Sequence, residues 1–151
     1  MHYIIKEFTD FFDTQRNLLL SLPEVFEIQN LKLRRTISAD LVESELEEAR
    51  LLLDHGFIRA AGAVAGVALE RYLKTLCETS TPPVNHTVIK GINSLAQGLR
   101  KAGHLSETKR KKIEWLGDIR NKCDHAKEEP PIEEVKELIN GTEGFVKSEV
   151  K

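Results

Sequence analysis

From Ala60 to Leu69 the chain reads AAGAVAGVAL, a run without a charge or a large polar group. At helical spacing such a run is apolar or very small on every face, and a helix of that kind belongs in the middle of a bundle. A transmembrane reading does not fit, because a bilayer core needs about twenty apolar residues. Gly62 and Gly66 inside the run each cost roughly 1 kcal/mol against alanine. Close approach of neighbouring helices offsets that loss. The segment from Phe57 to about Thr79 is therefore expected to be the central helix, with Glu70, Arg71 and Lys74 carrying its second half to solvent.

The rest of the chain repeats three- and four-residue spacings and almost never alternates, which predicts an all-α fold. Ile4, Phe8, Phe11, Phe12, Leu18, Leu19 and Leu22 mark a helix from Tyr3 that Pro23 should end or bend, since proline lacks the donor a helix needs. Val25 to Leu33 reads as a short helix or an ordered connector. Asp40 and Glu43 have capping-box spacing, so a helix is expected from there with Val42, Leu46, Ala49, Leu52 and Leu53 inward and His55-Gly56 at its end. After the proline-bearing loop from Thr79 to His86, Val88 to Ala102 should be a helix with Ile89, Ile92, Leu95 and Leu99 on one side, closed by Gly103. Ser106 can cap a helix running to His125, with Ile113, Trp115, Leu116 and Ile119 as its apolar positions. Glu128 to Pro131 should break the chain before a last helix from Ile132 to about Val150. The expected architecture is an up-and-down bundle of four to five main helices. Residues 1–38 are expected to be a helical extension packed on a domain formed by residues 39–151.

At 151 residues there is room for one good core and not for two ordinary domains. A net charge of -2 argues against a surface coated in basic charge, so any nucleic-acid contact must come from a local patch. Lys6, Glu7 and Asp10 interrupt the apolar residues of the first dozen positions, which therefore do not read as a signal peptide. Two cysteines, Cys77 and Cys123, are too few for a disulfide framework. A cytoplasmic chain with reduced thiols and no membrane association is expected.

The residues with most chemistry lie together in Arg120-Asn121-Lys122-Cys123-Asp124-His125. On one continuous helix Arg120 and His125 stand about 140° apart around the axis, whereas Arg120 and Asp124 share a face, as do Asn121 and His125. The arginine and histidine are reunited if the helix frays near Asp124, or if the same segment of a second subunit faces this one. Arginine offers a planar fork of donors suited to phosphate oxygens, and histidine takes and gives protons near neutrality. Asn121 adds a neutral donor and acceptor. Together they suit metal-independent cleavage of RNA by its own 2′-hydroxyl. The spacing alone also describes something plainer: an ion pair between Arg120 and Asp124, with a histidine favoured by the dipole at a helix C-terminus.

The segment Asp118 to His125 resembles the signature of HEPN domains, R-x(4–6)-H with a polar residue following the arginine. The alanine-rich Ala60 to Glu70 and the amphipathic Ile132 to Val146 are similar to that family's helices as well, and the resemblance covers roughly Asp40 to Val150. It implies a HEPN-like bundle, dimeric, with paired motifs at the interface. It also implies endoribonuclease activity with Arg120, His125 and Asn121 catalytic, RNA as substrate and no cofactor. A toxin or defence role with an antitoxin protein as partner follows from it too. The alternative it leaves open is a non-catalytic module that binds nucleotide, RNA or a partner protein. In one subgroup a tyrosine that becomes modified stands two residues after the histidine; here that position is Lys127.

Lys109-Arg110-Lys111-Lys112 is a basic run on the motif's own helix. It reads either as a solvated face or as an RNA-binding patch. Glu70, at the solvent end of the central helix, reads as a supporting carboxylate for Arg120 or His125, or as the i,i+4 partner of Lys74; Asp124 is the second supporting residue. Cys123 and His125 lack a second ligand pair at zinc spacing, so no metal site is expected. His2, His55, His86 and His104 read as caps or exposed side chains.

Overall fold

The computed structural model describes residues 1–88 and 90–151 and divides the chain into two compact units, Met1–Leu33 and Arg34–Lys151. Among the described residues there are five helices and no strand: α1 (His2–Asp54), α2 (Ile58–Thr79), α3 (Ile92–Lys101), α4 (Glu107–His125) and α5 (Ile132–Val150). The all-α class expected from the spacing is the one found.

Within the second unit, α2 packs on α3, α4 and α5, while α4 packs on α2, α3 and α5. The later part of α1 adds Val42, Leu46, Ala49 and Leu53, all buried. It is tied to α2 by a two-pronged Arg71–Glu45 contact at 2.5 and 2.6 Å, and to α5 by Arg50 donating to Glu143 at 2.7 Å. Tyr72 is fully buried at the centre, its ring edge-on to Phe145 with centroids 6.0 Å apart.

Several boundaries follow the sequence. Gly56 after α1 and Gly103 after α3 take φ of +83° and +80°, the left-handed closing conformation. The Ser106 hydroxyl accepts from the Lys109 N–H and caps α4 at 3.2 Å. The prolines at 130 and 131 precede α5, whose Val135, Leu138, Ile139, Phe145 and Val146 face inward.

Others do not. Helix α1 runs through Pro23, which therefore neither ends the helix nor leaves Val25 to Leu33 as a separate element. Proline removes a single ladder bond and crowds one carbonyl, a local penalty of about 3 kcal/mol that a long helix can absorb. Asp40 and Glu43 are interior positions of α1 and cap nothing. Capping-box spacing is also ordinary helical spacing, and only a chain end leaves the orphan N–H groups that make it a cap. Helix α3 begins at Ile92 rather than Val88. Gly91 has φ +85°, outside the helical region, and Val88 is exposed; Ile89 lies outside the described residues. Trp115 is half-exposed instead of inward, because Ile113, Leu116, Ile119 and Cys123 set the buried arc of α4 and position 115 falls on its far side. Helix α2 is central but not covered all round: Ala60 and Val67, two turns apart on one edge, reach solvent.

Candidate functional site

Helix α4 is unbroken from Glu107 to His125, so the fraying that would reunite Arg120 and His125 within one chain does not occur. The two side chains remain on different faces, about 140° apart. How each is held follows from the neighbouring helices.

Arg120 lies against the small-residue run of α2. A Cβ on Gly66 would stand 2.1 Å from Arg120 Cγ, and a Cβ on Gly62 would stand 2.2 Å from Cys123 Sγ. The two glycines, one turn apart, thus accept two side chains of α4 that are three residues apart. This is the close approach that the run from Ala60 to Leu69 announces. The guanidinium emerges between two carboxylates. Its Nε is buried and forms an ion pair with Asp124 at 2.9 Å, without hydrogen-bond alignment; a second nitrogen lies 3.5 Å from Glu70 Oε2. Glu70 also pairs with Lys74 at 2.9 Å, so both partners considered for it are present. The Arg120, Asp124 and Glu70 side chains are each about one-fifth to one-quarter exposed, so water screens these pairs less than it screens free surface pairs.

His125 is the last residue of α4, exposed, and without a hydrogen-bond or ion-pair partner among the described residues. Asn121 is exposed one turn before it and borders a polar cavity of about 240 Å³, where Lys90, Gly91, Asn93 and Ser94 also meet. Asn93 donates to Asp118 at 3.2 Å across the α3–α4 contact. A larger, apolar groove between α1 and α5, lined by Val42, Leu46 and Val146, includes no motif residue.

The end of α4 is fixed by a residue that the spacing did not suggest. Arg59, at the start of α2, donates to the carbonyls of Cys123, Ala126 and Glu128 at 3.2, 2.8 and 2.9 Å. These include helix-end carbonyls that would otherwise lack donors, and the guanidinium complements the negative end of the dipole. Arg59 therefore sets where the chain turns out of α4, immediately beside His125. Its partners are backbone groups more than sixty residues away, and no side-chain pattern encodes them.

The basic run divides. Lys109 is paired with Glu149, and Arg110 with both Glu107 and Glu114. The Arg110 guanidinium draws the exposed Glu107 carboxyl down to about 2. Lys111 and Lys112 are exposed and carry no ion pair among the described residues. Lys111, Trp115, Asp118, Lys122 and His125 share the solvent side of α4, with the Lys122 ammonium 5.9 Å from the Trp115 ring centroid and 2.9 Å from Glu134. The Cys123 thiol is buried under α2. Burial, and after it the nearby Asp124 charge, raises its pKa, while burial raises that of Cys77 to about 11. Neither is poised as a nucleophile. Among the described residues no three His, Cys, Asp or Glu side chains are grouped to hold a metal ion. No helix is long and apolar enough to cross a membrane among those residues. The His55 ring contacts the Leu51 carbonyl one turn earlier, and His86 lies 3.1 Å from Glu78.

The family model for the HEPN domain matches residues 42–151, which takes in the second half of the bundle portion of α1, all of α2 to α5 and the whole motif. No curated protein and no solved structure shows significant similarity to the chain.

Proposed function

We propose, from the premise that the chain belongs to the HEPN domain family, that it is a metal-independent endoribonuclease acting as a homodimer. One observation carries this reading: Arg120 is anchored and aimed by Gly66, Glu70 and Asp124, while His125, on the same unbroken helix, is exposed and unengaged. A group that serves only the fold is usually satisfied within it. The chemistry is transesterification. A 2′-hydroxyl loses its proton to a base and attacks the adjacent phosphorus, and the 5′-oxygen leaves with a proton from an acid. The products are a 2′,3′-cyclic phosphate and a 5′-hydroxyl. Arginine holds the charge that grows on the phosphoryl oxygens.

One chain contributes one motif histidine, hence one proton-transfer group, and its arginine faces elsewhere. Two chains related by a two-fold axis supply an acid, a base and two guanidinium forks to one cleft. Asn121 and the polar cavity beside it offer neutral contacts to a ribose or base, and Lys111 and Lys112 offer phosphate contacts. A toxin or defence role in the cytoplasm, restrained by an antitoxin protein that covers this cleft, fits such an activity.

A second reading has its own support. Two carboxylates already neutralise Arg120, and a phosphate must displace or share them. That arrangement suits a non-catalytic module that binds nucleotide, RNA or a partner protein without cleaving.

Subunit mixing tests the proposal. At a fixed total chain concentration, wild-type chain re-associated with an equal amount of His125→Ala chain should show about one quarter of the cleavage rate of wild type alone, because only dimers with two intact motifs turn over. Retention of about one half means that each chain cleaves alone, and absence of cleavage by the unmixed wild type supports the binding module.

A further inference from the structure

The candidate site lies within Arg34–Lys151 and makes no use of the first unit. That unit is a single helical stretch of α1, and most of its large apolar side chains are exposed. Their placement is regular. Ile4, Phe11, Leu18 and Val25 repeat every seven residues, as do Ile5, Phe12, Leu19, Phe26 and Leu33. Between these two columns runs a third: Phe8, Gln15, Leu22 and Gln29. The flanking columns lie about 60° and 40° to either side of it, so together they form one stripe about 100° wide. The side chains of the stripe's apolar members are 42% to 69% exposed. Asp10, Asp13, Arg16 and Glu24 lie on the other side, where Arg16 pairs with Asp13 at 3.2 Å.

A seven-residue apolar repeat sustained over four turns of the pattern is the signature of helices that supercoil around one another. The two glutamines identify the second helix. The Thr9, Thr14 and Ser21 hydroxyls donate to the carbonyls of Ile5, Asp10 and Leu18 one turn earlier, but the Gln15 and Gln29 amides, in the middle of the stripe, have no partner among the described residues. Covered by lipid or by a plain apolar surface, each amide would lose its water with nothing in return, at a cost of about 1–3 kcal/mol. An amide carries both donor and acceptor, so the matching glutamine of an identical helix satisfies it.

We infer that residues 4–33 pair with the same residues of a second copy of this chain, parallel and in register. Only that arrangement sets Gln15 on Gln15 and Gln29 on Gln29 while overlapping the whole stripe. An antiparallel pair that matches Gln15 with Gln29 turns about Leu22 and slides Ile4, Ile5 and Phe8 past the stripe's end. The stripe offers on the order of 10³ Å² per helix, at or above the ~800 Å² per partner of an ordinary stable interface. Pairing also covers the exposed apolar face of a helix that carries an interior proline, in keeping with the rule that amphipathic packing stabilises helices more than propensity does. This inference is independent of the ribonuclease reading and holds for a binding module equally.

Cross-linking of the full chain tests it, because Cys77 and Cys123 are buried with raised thiol pKa values and leave an introduced cysteine as the reactive one. Gln15→Cys, oxidised by dissolved oxygen with a copper catalyst at micromolar concentration, should become mostly covalent dimer. Asn17→Cys, on the opposite side of the helix, should stay monomeric under denaturing, non-reducing conditions. Adding Phe12→Glu and Leu19→Glu to Gln15→Cys should reduce the cross-linked fraction at least tenfold, while the helical circular dichroism of the bundle persists. Equal cross-linking at positions 15 and 17 would overturn the inference, as would a bond that forms only when Gln15→Cys and Gln29→Cys chains are mixed. Co-sedimentation with phosphatidylcholine vesicles in place of cross-linking would assign the stripe to a lipid surface instead.

Discussion

Replacing His125 with alanine is expected to slow RNA cleavage by about 10²-fold or more while leaving the thermal midpoint of folding unchanged. The side chain is exposed, ends its helix and has no partner among the described residues, so its loss removes the proposed proton-transfer group and nothing from the core. Arg120→Ala should behave differently. Its stem fills the space above Gly66, and its charge compensates Asp124 and Glu70. The rate should fall at least as far, and stability should fall too, by about 1 kcal/mol for partly exposed pairs together with lost packing of the stem. Arg120→Lys separates the two roles. A lysine keeps the apolar stem and the charge, so the midpoint should largely return, but a single ammonium cannot replace the guanidinium fork and cleavage should stay low. Rates measured beside thermal melts for the three variants check this. Full activity in His125→Ala would remove the histidine from the mechanism.

Gly62→Val and Gly66→Val should each destabilise the bundle by about 1–3 kcal/mol, the usual cost of forcing extra carbon into a packed seam. The Cβ alone stands 2.2 Å from Cys123 Sγ in the first case and 2.1 Å from Arg120 Cγ in the second. Cys123 is buried and cannot swing aside, so the Gly62 variant should be the worse of the two. On the proposed mechanism Gly66→Val should also slow cleavage, because the added carbon displaces the Arg120 stem. Gly144→Ala is the control: nothing lies within 4 Å of its added Cβ, so it should stabilise α5 by roughly the helix-propensity difference of 0.5–1 kcal/mol. Chemical denaturation of the three variants gives the comparison. Equal stabilities for Gly62→Val, Gly66→Val and wild type would mean that α2 and α4 do not meet where the close contacts place them.

The run from Ala60 to Leu69 disclosed the seam because small residues mid-helix have few uses other than close approach. It did not disclose which helix approaches. Cys123 and Arg120 seat on Gly62 and Gly66 across more than fifty residues of chain, and single-helix periodicity carries no information about such pairs. Caps and closing glycines at Ser106, Gly56 and Gly103 were legible since their partners lie within a turn. The same local logic misread Asp40 and Glu43, whose spacing is shared by caps and helix interiors, and Pro23, whose penalty a long helix absorbs. In the site, the Arg120–Asp124 pair follows from i,i+4 geometry, and the Glu70 contact needed the fold. Arg59 was invisible for a stricter reason. It binds backbone carbonyls, and every residue has one.

The apolar stripe of residues 4–33 was visible as helical periodicity, but its exposure was not, because an amphipathic pattern predicts burial against something without saying against what. If two copies pair there, each chain brings a second HEPN motif at high local concentration, and weak association of the bundles themselves then suffices to form a shared cleft.

The most direct measurement is the identity of the RNA ends produced by the full chain in excess EDTA. The account predicts cleavage at an undiminished rate, with 2′,3′-cyclic phosphate and 5′-hydroxyl ends that disappear in the His125→Ala chain. Cleavage that stops with EDTA and returns with magnesium, or ends bearing a 5′-phosphate, would contradict it.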